Sequence, residues 1–146
     1  MKNIFLLFFA LVNFSCFSQL DIKESGANKS SIGKVELMTT NFIECTKFID
    51  KDAYLFCFKN EKFSSISDYK SFFIKGTESF NQLYDILNKT LTNKETKELE
   101  IDLGNNEKLS LHFKGKSVAF WYWNGSSWSY SMPFYLKHID KLFGKV

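Results

Sequence analysis

Apolar and polar residues alternate along much of this chain, and where the alternation stops a period near 3.6 takes over. The cleanest alternation sets Leu99, Ile101 and Leu103 against Glu98, Glu100 and Asp102. After Gly104-Asn105-Asn106 it resumes with Leu109, Leu111 and Phe113 against Ser110, His112 and Lys114. Such a pair predicts an antiparallel hairpin with one buried and one wet face. Further strand signals cover residues 34–40, 41–49, 53–59 and 69–75. Later ones cover 118–123 and 128–132 around Asn124-Gly125, the strongest hairpin turn in the chain. Helical spacing occurs twice. Thr77 can cap a helix whose apolar face carries Phe80, Leu83, Tyr84, Leu87 and Leu91; a second helix spans about 135–143, with Ile139, Leu142 and Phe143 apolar and Gly144 as its stop. The order predicts an α+β domain over residues 34–146, a mostly antiparallel sheet of about six to seven strands with two packed helices. The two blocks of strands each close with a helix, a faint internal echo that ordinary amphipathicity explains. Residues 19–33, polar and rich in Ser, Lys and Gly, read as a mobile arm.

The first eighteen residues have a different character. Lys2, the apolar run 4–12 and Cys16-Phe17-Ser18 ahead of Gln19 make a secretory signal peptide cleaved after Ser18. The run is too short to cross ~30 Å of hydrocarbon as a helix, and no later stretch is apolar enough to do so. The expectation is an exported protein, periplasmic or extracellular, without a transmembrane helix. A lipid anchor at Cys16 is the competing reading: Ser15 suits it, but Asn13 stands where a lipobox usually has leucine. The Phe17-Ser18-Gln19 leader end and the stretch Ile139-Asp140-Lys141-Leu142-Phe143-Gly144-Lys145 resemble those of small secreted proteins of Bacteroidetes. The resemblance covers only these ends and implies no activity.

Composition narrows the function classes. With 146 residues, 45% hydrophobic and 24% charged, the chain is one globular domain, neither a disordered tail nor a fibre. All 19 cationic side chains are lysine, so bidentate gripping of phosphate or carboxylate by arginine is absent. A net charge of +3 is far from the basic stripe of a nucleic-acid binder.

Cys45 and Cys57 lie on consecutive predicted strands. If Asp50-Lys51-Asp52 is the loop, the two fall directly opposite each other, about 4.5 Å apart at Cα and near the lower limit for a disulfide. An oxidising compartment favours that pairing; two small buried thiols are the alternative. Neither redox catalysis nor metal binding is expected, because there is no Cys-x-x-Cys and no nearby cluster of further ligands.

The densest chemistry lies in the last hairpin. Alternation puts Ala119, Trp121 and Trp123 on one face with Trp128 and Tyr130, and Val118, Phe120 and Tyr122 on the other with Ser127, Ser129 and Ser131. Aromatic stripes usually fill cores, so the Trp face is expected to be buried. The opposite assignment would leave an exposed aromatic patch, a site for a sugar ring or for an apolar anchor of a partner protein. His112 is expected on a wet face near Glu100, and His138 exposed among Lys137, Asp140 and Lys141; a solvated role explains each. No phosphate loop, nucleophile elbow or zinc helix occurs, and no cofactor is implied. The leading expectation is a non-catalytic envelope or extracellular protein that binds a macromolecular partner. The alternatives are a glycan-binding module using the Trp face and a hydrolase with an unrecognised site.

Overall fold

Four short apolar-inward strands, a helix, five more strands and a second helix follow one another along the chain. A computed structural model describes residues 28–37, 40–63 and 65–146. The expected leader, Cys16 and most of the expected arm lie outside them. The first sheet runs in the order β1 (Lys29–Leu37), β2 (Thr40–Phe48), β3 (Ala53–Lys59) and β4 (Tyr69–Lys75). The helix α1 (Thr77–Thr92) leads into the second sheet, ordered β5 (Thr96–Gly104), β6 (Glu107–Lys114), β7 (Ser117–Trp123) and β8 (Trp128–Tyr130). The two-residue β9 (Phe134–Tyr135) also pairs with β7, before α2 (Leu136–Leu142). All pairings are antiparallel. The α+β class holds, with nine strands among the described residues split between two sheets in place of the single sheet of six or seven.

The inner faces of the two sheets meet in one core. Phe56, Phe58 and Phe72 of the first sheet are fully buried, as are Leu109, Leu111, Val118 and Phe120 of the second. Phe72 is the bridge: its ring lies 6.4 Å from Phe120 and 5.8 Å from Tyr122. The helices close one end, where Phe143 packs 5.5 Å from Phe56 and 4.7 Å from Phe80. The apolar face of α1 is the one its spacing predicts, with Phe80, Leu83, Leu87 and Leu91 buried.

Three local findings correct the sequence reading. First, residues 29–33 are strand, not part of a mobile arm: Lys29 pairs with Phe48 and Gly33 with Cys45. Polarity misled because these side chains face solvent or the helix α2, whose backbone lies against Gly33. Second, Cys45 and Cys57 do not face each other. A 3-10 turn at Ile49–Lys51 followed by left-handed Asp52 pairs Phe48 with Ala53, which sets Cys45 opposite Phe56 and Cys57 opposite Glu44. A one-residue slip moves a side chain to the other face of a sheet. Cys45 therefore points into the core and Cys57 does not, and both thiols are free. Burial pushes the Cys45 thiol up to about 12, which makes it a packing group.

The third correction concerns the start of α1. Gly76, at φ 86°, turns the chain so that Thr77 is the first helical residue and caps nothing itself. The cap comes from Asp52: its carboxylate accepts hydrogen bonds from the Thr77 N–H at 3.1 Å and the Thr77 hydroxyl at 2.7 Å. A carboxylate here also meets the positive end of the helix dipole. The hydrogen bonds from Thr77 hold the Asp52 carboxyl below its ordinary range. Its stabilising effect is thus full above the unfolded-state value and is lost as pH falls through the lower folded one. Asp52→Asn keeps a residue type that tolerates the left-handed backbone but removes the charge. Thermal melts should show the variant less stable than wild type near pH 7, with the gap closing below about pH 4. An equal gap at pH 7 and pH 2.5 would contradict a charge-based cap.

Candidate functional site

The inward face of β6 decides how the aromatic hairpin sits. Leu109, Leu111 and Phe113 pair directly with Tyr122, Phe120 and Val118, so these three β7 residues share the buried side. Trp121 and Trp123 consequently face outward, half-buried, with Tyr130 beside one and Trp128 beside the other. The expectation that the Trp face is the core is overturned. The physical reason is that β6 offers leucines on one side only, and β7 must match it. Ser129 of β8 and Ser131 just after it then fall inward: Ser131 accepts the Phe120 N–H at 3.0 Å, and Ser129 is buried.

The outward rings are organised in two groups. Trp121 is sandwiched between His112 and Tyr130, each with its ring 4.8 Å away and within 25° of parallel. Trp123 and Trp128 form a second pair, 5.5 Å apart and tilted by 49°. Cross-strand stacking of this kind stabilises the sheet, and it leaves Trp121 with little more than its edge to solvent. Trp128, on the outermost strand, is the ring left with a usable face, at 36% exposure.

Polar groups border the rings on the same face. Lys108 reaches Glu100 at 2.8 Å, and Ser110 lies in register between Glu100 and Trp121. His112 contacts Glu98, not Glu100, with Nδ1 3.2 Å from Oε1, and its side chain is only 31% exposed. Asn60 fixes the far edge of the patch, a role the sequence reading missed. Buried at the end of β3, its side chain accepts the Tyr130 N–H at 3.2 Å and donates to Asp68 at 2.8 Å, while the Glu61 N–H donates to the Tyr130 carbonyl at 2.8 Å. At the other end, the Asn124 side-chain oxygen accepts hydrogen bonds from the Ser126 and Ser127 amides and sets the β7–β8 turn.

The remaining candidates stand apart from this patch. His138 packs edge-on to Tyr135 and accepts its N–H at 3.3 Å, so it is half-buried where exposure was expected. Burial first, and then Lys137 and Lys141, hold its pKa below the usual histidine value. Among the described residues, no group of three or more His, Cys, Asp or Glu side chains is placed to hold a metal ion. No helix among them is long and apolar enough to cross a membrane. No protein-family model, curated protein or solved structure matches the chain.

Proposed function

We propose that the protein is an exported binding module that holds a glycan against the outer face of its second sheet. The single observation that carries the reading is the outward orientation of Trp121, Trp123, Trp128 and Tyr130 on a rigid antiparallel scaffold. Trp128 is exposed and the other three rings are half-buried on the outer face, away from the core, which supports reading the group as a contact surface. The bordering groups favour a sugar over an apolar protein anchor. Glu100, Lys108 and Asp102 bring hydroxyl-binding donors and acceptors to the same face as the rings, whereas the centre of a protein interface is depleted in charge. The apolar C–H face of a pyranose would lie on Trp128 and its hydroxyls would meet this polar border.

Trp128→Ala tests the reading. Retention of the protein in gels containing insoluble or soluble polysaccharides should weaken by about tenfold or more, as for a central aromatic contact. Its melting temperature should move little, because Trp128 lies on the exposed edge of the patch. Undiminished retention, or a protein partner co-purifying where saccharide was expected, would overturn the glycan reading.

A further inference from the structure

The same face carries a second pattern beside its rings. Ser110 Oγ lies 3.1 Å from His112 Nε2, and His112 Nδ1 lies 3.2 Å from Glu98 Oε1. Stacking on Trp121 fixes the imidazole plane between these two contacts. A carboxylate at Nδ1 favours the tautomer with its proton there, which leaves the Nε2 lone pair aimed at the serine hydroxyl. Hydroxyl, imidazole and carboxylate thus stand in the order nucleophile, base and orienting group, supplied by two paired strands. The serine is only 9% exposed between its register neighbours Glu100 and Trp121, so a molecule lying on the rings must shift one of these two side chains to bring its carbonyl to Oγ. The β6 amides are taken up in ladders with β5 and β7 and form no oxyanion hole. The positive charge near the site is the Lys108 ammonium, drawn toward Glu100, the residue directly opposite Ser110.

We infer that Ser110 is the nucleophile of a serine esterase site, with His112 as its base and Glu98 as a positioning residue. The substrate class is an acyl ester on a hydroxyl of the bound glycan, and this choice of class rests on the binding reading above. Ser110 Oγ attacks the ester carbonyl carbon while Nε2 takes the hydroxyl proton. The C–O bond to the sugar breaks as His112 returns that proton to the departing sugar oxygen. Water then attacks the acyl-serine, giving its proton to Nε2; the carboxylic acid leaves and Ser110 regains its proton from His112. The net reaction is ester and water to acid and alcohol.

The test uses the full mature chain with a fluorophosphonate probe, 4-nitrophenyl acetate and an acetylated xylan. The probe should add one phosphonyl group at Ser110, with loss of fluoride, seen by intact mass and peptide mapping. Release of 4-nitrophenolate and of acetate should fall by about 100-fold in Ser110→Ala and in His112→Ala, and the double variant should be no worse. Glu98→Gln should lower kcat by about tenfold with KM unchanged, and Glu98→Asp should restore part of the loss, which a merely structural carboxylate would not do. Labelling of the native protein carries no folding ambiguity, and circular dichroism checks the variants. No label at Ser110 with no rate above that of Ser110→Ala would overturn the esterase. If xylan is retained in that case, the binding reading survives alone. Turnover of the small ester without retention or deacylation of any polysaccharide would overturn the glycan ester as substrate, and the binding reading with it.

Discussion

Phe72→Ala is expected to destabilise the protein by about 3–5 kcal/mol, the range for emptying a fully buried phenylalanine site. The size follows from where the ring sits. Phe72 is 1% exposed and stacks 5.2 Å from Phe56 within its own sheet, and it also contacts Phe120 and Tyr122 across the core. Removing it opens a cavity between two sheets that no backbone hydrogen bond ties together at that point, so the walls are held apart by the rest of the core. Urea unfolding should show a lower midpoint with an unchanged slope. The neighbouring Phe73→Ala is the control. Phe73 faces outward at 45% exposure, and its loss should cost about 1 kcal/mol or less. Similar losses at the two positions would mean that the sheets do not meet through Phe72.

The second large effect is expected from Gly33→Ala. A Cβ at this position would stand 2.6 Å from the Leu142 carbonyl oxygen and closer still to that of Lys141. Both atoms are backbone of the last turn of α2, so no side chain can swing aside. Either β1 or α2 must move, and Ile139, Leu142 and Phe143, all buried, move with the helix. We expect a loss of about 3 kcal/mol or more, at the upper end of overpacking effects. In a domain of this size that should lower the melting temperature by roughly 10 °C. A variant that melts with wild type would show that β1 and α2 are not in van der Waals contact at Gly33.

How much of this is legible in the sequence depends on how each feature is encoded. The alternation in β5 and β6 and the apolar spacing of α1 are local, and they reappear in the structure with the same residues inward. Register is less local. Cys45 and Cys57 read as partners across a three-residue loop; the 3-10 turn and left-handed Asp52 make the loop one residue longer and send the thiols to opposite faces. The Trp hairpin taken alone does not show which of its faces is buried. The deciding signal was present one strand earlier, because Ser110 and His112 mark the wet side of β6 and a tight turn at residues 115–116 carries that side to Trp121. The same parity brings Glu98, Ser110 and His112 together, which spacing within either strand does not reveal. Asn60 gave no signal at all. It is a buried polar residue in a loop, and only the tertiary fold shows that it anchors Tyr130.

The contact between Gly33 and the end of α2 joins a strand near the beginning of the described chain to a helix near its close. Contacts between distant segments form slowly, because a long loop must close before the pairing can reward it. Pairing of β1 with β2 is local and does not wait, but the packing of β1 on α2 is completed only after the segment that follows β9 has been made and coiled. The four strands of the first sheet can therefore pair in chain order, while the core they cover stays open at β1 until the end of the chain arrives to close it.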